Sequence, residues 1–520
     1  MRNEPSEPNG PSEPNRPNEP SERGGQAGPA GAGTPIRGRR AADIAADVER
    51  AVGAGELAPG AALPPLRELA GELGVNPNTV AAAYRLLRDR GVIETAGRRG
   101  TRVRPKPAVT SRDEPAMPVP EGVRDLSTGN PAVDLLPDPA PALAAAAAAQ
   151  AGAPVRYGAP AADPRLVQLA RESFRADGIP NADSAARADA HPNSRPDAGS
   201  EAGPDAAPGT PPGGPKGPPI AVASGTLDGI ERILAARLRP GDAVAVEDPG
   251  WASLLDLLPA LGLRTVPVAV DDQGPLPEAV GQALGPGRAR ALIVTSRAQN
   301  PTSAALSAER AEELRALLRE HQRSGGELLL LEDDHGHGIV DLPFHPLAWA
   351  PGEDGGPLVR HWAVARSAAK ALGPDLRVAV ITGDADTVER LRGRQRLGPG
   401  WVSHLLQRAT AELWAASDPA AVAAEYRRRA AGLLDPLAAA GVRAHGRSGL
   451  NVWIPVADET RAVTGLLQRG WAVAAGARFR LSSGPGIRVT TAELAEPEAA
   501  RLAADLVAVL TGRAPVSRGV

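Results

Sequence analysis

The chain has 520 residues, a net charge of -3 at pH 7 and no cysteine, which excludes disulfides and thiolate chemistry. Its 42% hydrophobic content is ample for buried cores, but only 2% is aromatic, so those cores must rest on Leu, Val and Ala. At roughly 150 residues per domain the length predicts about three folding units, and the absence of a signal-like or long uncharged apolar run predicts a cytoplasmic protein without a membrane partner.

Residues 1–36 repeat Ser/Asn-Glu-Pro units and then become Gly/Ala/Pro-rich. Such a tract buries too little apolar surface to offset chain entropy and is expected to be disordered. Residues 37–104 are different: twelve arginines against eight Asp and Glu make this segment basic although the whole chain is acidic. Ile44, Val48 and Val52, four apart, mark one helix face. A second helix starts in Leu63-Pro-Pro-Leu-Arg-Glu-Leu-Ala and stops at Gly74. Asn76 is a good N-cap with Pro77 at the first helical position, and Val80, Tyr84 and Leu87 give the third helix its buried face. Strands at 92–95 and 101–103 then flank Gly97-Arg-Arg-Gly100, a hairpin tip. Three helices and a basic wing predict an α+β winged helix-turn-helix.

Residues 105–123 are proline-rich and read as a linker. From 124 to 515, apolar runs at 243–246, 291–294, 327–331 and 378–381 alternate with amphipathic stretches such as 307–318. That alternation predicts an open, mostly parallel α/β sheet. Between a helix ending near Arg175 and a strand at 220–222, the Gly/Pro/Ala/Asp tract 181–218 is expected to be a disordered surface insertion.

Only three lysines accompany fifty-five arginines, and Lys106 and Lys216 fall in the linker and the insertion. Lys370 remains. A lysine cannot be replaced by arginine where a neutral amine attacks a carbonyl to form a Schiff base, because a guanidinium stays protonated. The count alone leaves chance survival as the alternative.

Residues 39–103 resemble the GntR family of bacterial regulators through Leu63-Pro64, Arg67, Leu69-Ala70, Leu73-Gly74-Val75, Asn78-Thr79-Val80 and Gly97 to Gly100. The resemblance implies that Arg67, Arg98 and Arg99 contact phosphates of a double-stranded DNA operator, while Asn76, Asn78 and Thr79 face base edges. The chain departs from some relatives at Pro77 and Ala81, where those carry arginine. A basic module that docks another protein is the alternative.

Lys370, within Ser367-Ala-Ala-Lys370-Ala-Leu-Gly-Pro-Asp-Leu-Arg377, resembles the lysine segment of fold-type I pyridoxal-phosphate proteins, the aspartate aminotransferase superfamily. Further matches occur in the family's order and imply roles. Ser224, Gly225 and Thr226, at a helix start, and Ser367 with Arg377 would bind the cofactor phosphate. Trp251 would stack on the pyridine ring, Asn300 would bond its phenolic oxygen, and Asp333 would keep a proton on the ring nitrogen. Arg488 would bind a substrate carboxylate, and Tyr157 would reach the phosphate of a neighbouring subunit, implying a homodimer. Three positions depart from the family: His335 replaces a tyrosine beside the cofactor, and Ser303 and Ala162 each replace a glycine.

A winged helix fused to an aminotransferase-like domain resembles the MocR subfamily of GntR regulators. The resemblance implies a fold-type I α/β domain with a small C-terminal α/β subdomain, acting as a sensor of pyridoxal 5'-phosphate and an amino-acid or amine effector. Lys370 would hold the cofactor as an internal aldimine, and the regulator would act on genes of vitamin B6 or amino-compound metabolism. The alternative is a working pyridoxal-phosphate-dependent aminotransferase that carries a DNA-binding domain.

Overall fold

The computed structural model describes residues 36–53, 56–57, 60–89, 92–95, 100–103, 119–179, 219–285, 289–350 and 356–511. The expectations for 1–35, for Arg98 and Arg99 at the wing tip, for most of the linker and for the 181–218 insertion lie outside these residues.

In the first module, Ala41–Gly53 (α1), Leu66–Leu73 (α2) and Pro77–Asp89 (α3) precede Ile93–Thr95 (β1) and Thr101–Val103 (β2). The strands pair antiparallel with Ile93 opposite Val103. Asn76 Oδ1 accepts the Asn78 amide at 2.8 Å, so the expected N-cap is present and Pro77 opens α3. Ile44, Val48, Leu69, Val80, Tyr84 and Leu87 close one core, with Val52 only half-buried. Ile36, assigned above to the low-complexity tract, is 3% exposed and joins that core. The Tyr84 hydroxyl donates to Pro64 O at 2.8 Å, and burial raises its pKa.

After the linker, Arg124–Asp125 (β3) leads into a second unit. Its main sheet has eight strands: Ile220–Ala223 (β4), Ala243–Asp248 (β5), Arg264–Asp271 (β6), Gly274–Pro275 (β7), Ala289–Thr295 (β8), Leu329–Asp334 (β9), His361–Ser367 (β10) and Ala379–Gly383 (β11). The order is β4-β11-β10-β9-β8-β5-β6-β7, with β10, β9, β8, β5 and β6 parallel and β11 and β7 antiparallel to their neighbours. Helices cover both faces, as a parallel sheet requires. A smaller subdomain follows. Asn451–Pro455 (β12), Ala474–Ala475 (β14) and Gly486–Thr490 (β15) form an antiparallel sheet, and Trp471–Ala472 (β13) pairs in parallel with β3. Among the described residues no helix is long and apolar enough to cross a membrane.

The β9 strand corrects the expected 327–331 run. Its ladder begins at Leu329, opposite Ala291 and His361, and continues to Asp334, so the acidic residues lie within the strand. Partners make this possible. Asp334 accepts from Arg297 Nε and Nη2 at 2.9 and 2.6 Å and from Arg366 Nε at 2.9 Å. Arg366 also bonds Asp177 and donates to Ser173 Oγ at 2.7 Å, with its guanidinium 4.4 Å over the Phe174 ring. The Pro164–Ala176 helix is thereby tied to the sheet.

The two guanidiniums outweigh burial and hold the Asp334 carboxyl below its ordinary pKa. Its contribution is therefore complete above the unfolded value of about 4 and is lost as pH falls toward the folded one. Asp334→Ala leaves two buried cations without their shared anion and is expected to destabilise this unit by about 3–5 kcal/mol, read as a lower urea midpoint.

Candidate functional site

Lys370 lies just past the end of β10, on the short helix Ala369–Leu372. Its Nζ donates to Gly129 O at 2.7 Å. With Trp251, Asn300, Arg488 and the 125–129 segment it lines a cleft of about 760 Å³. Arg488 enters from the middle of β15, where it is 3% exposed. Its guanidinium donates to Asn300 Oδ1 at 3.0 Å and to Ser127 O at 2.5 Å, and lies 4.6 Å over the Phe479 ring. An amine and a fork of donors thus face one cavity, beside a half-buried tryptophan at the start of the Ala252–Ala260 helix.

Asp333 sits on β9, 2% exposed. One carboxylate oxygen meets His335 Nδ1 at 2.8 Å, and His335 Nε2 lies 2.6 Å from Ala298 O. Burial opposes a charged imidazole, but the Asp333 carboxylate prevails and raises the His335 pKa, against the nearby Lys370 charge. The other oxygen, Asp333 Oδ1, is buried with no hydrogen-bond partner among the described residues. His335 is therefore a hydrogen-bonded neighbour of the acid.

The residues expected around a phosphate form a separate group. Thr226 begins the helix Thr226–Arg237, and its Oγ1 is buried without a partner among the described residues. Arg377 donates to Ser224 O at 3.0 Å. Gly225 has φ +93°, and a Cβ there would stand 2.7 Å from the Arg377 guanidinium, so only glycine lets that cation approach the helix start. Ser367 is 8% exposed and its Oγ accepts the Ala369 amide at 3.2 Å. A buried hydroxyl without a partner among the described residues at a helix N-terminus, with the Arg377 guanidinium beside it, suits an anion.

Tyr157 is not brought to the cleft. It is 94% exposed and packs edge-to-face with Trp401 at 5.6 Å. Ser303 adopts φ +56°, the left-handed conformation that explains the family's glycine, and its Oγ donates to Asn451 O at 2.7 Å. Ala162 is half-buried. In the first module Arg67, Asn76 and Asn78 are exposed and Thr79 is half-buried. The cap bond commits Asn76 Oδ1, so its amide nitrogen is the group left for another partner.

Sequence reasoning missed four contributors. Asp248, in the sequence Glu247-Asp-Pro-Gly ahead of Trp251, accepts amides from Leu481, Ser482 and Ser483 at 2.7–2.9 Å and both serine hydroxyls at 2.8 Å. It fastens the loop before Arg488 to the strand before Trp251. Phe479 and the Ser127 and Gly129 carbonyls were also unmarked. Main-chain acceptors leave no residue-type signal, whereas Asp248 beside Trp251 did offer one.

Residues 40–103 match the gntR family of bacterial regulatory proteins, and residues 218–506 match aminotransferase class I and II. The chain is 34% identical over 481 residues to the vitamin B6 salvage pathway transcriptional repressor PtsJ of Salmonella typhimurium, covering 91% of this chain and 98% of that one. It is 28% identical over 313 residues to the HTH-type pyridoxine biosynthesis transcriptional regulator PdxR of Corynebacterium glutamicum, covering 58% and 59%. In fold it is similar to the alpha-aminoadipate aminotransferase LysN of Thermus thermophilus, solved with N-(5'-phosphopyridoxyl)-L-leucine, at 20% identity and a TM-score of 0.58 over 76% of this chain and 93% of that one. A GntR winged helix followed by an aminotransferase class I and II domain, over nearly the full length of a regulator of the same build, places the chain in the MocR type of GntR transcriptional regulators.

Proposed function

We propose that this regulator holds pyridoxal phosphate at Lys370, reads an amino compound at Arg488, and changes its hold on a DNA operator with the occupancy of the cleft. The observation that carries the reading is the convergence of the Lys370 amine, Arg488, Asn300 and Trp251 on one cleft, in a chain that also carries a winged helix.

The residues fit the cofactor at two buried atoms without hydrogen-bond partners among the described residues. The Asp333 Oδ1 acceptor suits a protonated ring nitrogen, and the Thr226 Oγ1 donor, with Ser224, Ser367 and Arg377, suits a phosphate. Pyridoxal phosphate would supply an aldehyde that an amine can capture and a ring that withdraws electrons. The chain's part is to position. Lys370 offers the amine, Trp251 a ring face, Asn300 a polar edge, and Asp333, oriented by His335, an acceptor for the ring nitrogen. Arg488 offers a two-pronged site for a carboxylate. The names of the two regulators above support genes of vitamin B6 metabolism as targets.

On the DNA side, Arg67 is the described cation suited to a phosphate, with Asn78, Thr79 and the Asn76 amide toward bases; Arg98 and Arg99 complete the proposal at the wing. Two copies would use two such modules, and the exposed Tyr157 is the group by which one copy would complete the other's phosphate site.

Borohydride reduction of the cofactor-loaded protein, followed by peptide mapping, is expected to find the pyridoxyl label on Lys370 and none on a Lys370→Ala variant. Label elsewhere would remove the assignment. Arg67→Ala should weaken DNA binding uniformly across sequences and lower the slope of log affinity against log salt by about 1, measured by titrations at several salt concentrations. Asp333→Asn removes the anion that favours the His335 imidazolium. The His335 pKa should then fall, so that the ring loses its proton at lower pH, as followed by NMR.

A further inference from the structure

We infer that His335 is a positioning residue: by donating from both ring nitrogens, to Asp333 and to the Ala298 carbonyl, it ties the acid that would meet the cofactor's ring nitrogen to the turn that carries Asn300. The inference rests on the cofactor reading of the cleft.

Both neighbours of the ring are acceptors. Asp333 Oδ2 lies 2.8 Å from Nδ1, and Ala298 O lies 2.6 Å from Nε2. A carbonyl oxygen has no proton to give and neither has an ionised carboxylate, so each nitrogen must carry its own and the ring is an imidazolium. Asp333 from β9 and Lys370 from the helix after β10 are the charged groups that act on it, and the acid prevails over burial and over the amine. A tyrosine, which the resembling family carries here, has one hydroxyl proton and could serve only one of the two acceptors. With both nitrogens committed to the protein, His335 keeps no donor for the cofactor itself.

The second of these bonds falls on a strained turn. Ala298 has φ +56°, a left-handed conformation in which a Cβ crowds the backbone, and such a residue persists only where its surroundings hold it. Here it is held from both sides: its amide donates to Ser448 Oγ at 2.9 Å, and its carbonyl accepts from His335. The next residue, Gln299, is fully buried; it donates to Pro249 O at 2.8 Å and accepts the Thr302 amide and hydroxyl at 2.9 and 2.6 Å. Asn300 follows, with its Oδ1 on Arg488 at 3.0 Å.

The sheet alone does not set the distance between Asp333 and Asn300. The β8–β9 ladder ends with Thr295 opposite Asp333, and Asn300 lies beyond that end. His335 supplies the cross-link past the last rung, so the acceptor for the ring nitrogen and the polar edge for the phenolic oxygen keep one spacing. The link depends on a ring proton. Because Asp333 raises the His335 pKa, the clamp is whole below the ordinary imidazole value of about 6.5 and is lost as pH rises through the higher folded value.

The test uses the full chain, with pyridoxal phosphate as probe, and reads three quantities. These are the protonation of the His335 ring by nitrogen NMR of histidine-labelled protein without cofactor, amide exchange of the peptide spanning 296–303, and the dissociation constant of pyridoxal phosphate across the neutral and alkaline range. Both ring nitrogens should carry protons at neutral pH. His335→Phe, which keeps a ring but no donor, should speed exchange in that peptide and weaken cofactor binding by roughly 10-fold or more. His335→Gln cannot titrate, so it should lack the part of the native loss of affinity at rising pH that Lys370 does not cause. Ala298→Gly, which relaxes the turn, should restore part of the affinity in the His335→Phe background, a recovery that a histidine acting only as filler would not show. A neutral ring at neutral pH overturns the inference whatever the variants do. If cofactor binds the native protein and both His335 variants with one affinity and one pH profile, the clamp is wrong and the cofactor reading stands. If borohydride leaves no pyridoxyl label on the native protein while the ring is doubly protonated and His335→Phe speeds exchange, the clamp is right and the cofactor reading falls.

Discussion

Strand β9 carries Glu332, Asp333 and Asp334 in succession through a sheet covered on both faces, and an unpaired buried carboxylate costs several kcal/mol. The three acids are neutralised in three ways. Burial pushes the Glu332 carboxyl up to about 7, where it accepts the Leu347 and Ala348 amides. Asp334 takes two guanidiniums. Strand alternation puts Asp333 on the opposite face from these two, toward Lys370, where His335 satisfies one oxygen and the other has no partner among the described residues. The one acid left short of a partner among the described residues is the one on the other face of the strand.

From that arrangement the rest of the site follows outward. Arg297 and Arg366 serve Asp334 and, through Asp177 and Ser173, fasten a helix against the sheet whose strand β10 ends just before Lys370. Beyond that strand the site is shared. Lys370, Trp251 and Asn300 belong to the large sheet and its loops, whereas Arg488 and Phe479 belong to the small subdomain. Asp248 spans the two with five accepted hydrogen bonds. The Lys370 amine and the Arg488 guanidinium, the two groups an amino compound would bridge under the proposed function, thus come from different subdomains.

The segment that leaves the linker passes between the two cations before it enters the first helix of the large domain. In an enzyme of the same fold those cations need only serve the substrate. In a chain that also carries a GntR winged helix, the proposed function gives the same two groups ligand recognition to do instead.

Much of this was legible in the order of residues. Asn76-Pro77 at a helix start, apolar spacing on α3 and runs of β-branched and aliphatic residues determine local structure through forces that act over a few residues, and these elements formed where expected. Lys370, Trp251, Asn300 and Arg488 were marked by their motifs, and the fold brought them to one cleft. Sequence could not place the end of β9, because three adjacent acids belong in a buried strand only when Arg297, Arg366 and His335 arrive from other elements. Nor could it reveal Asp248 bridging two subdomains, or the Ser127 and Gly129 carbonyls that hold the cleft's cations. Those contacts join residues up to 361 apart, two of the acceptors are main-chain oxygens that every residue possesses, and only the tertiary structure selects which of them meets a charge.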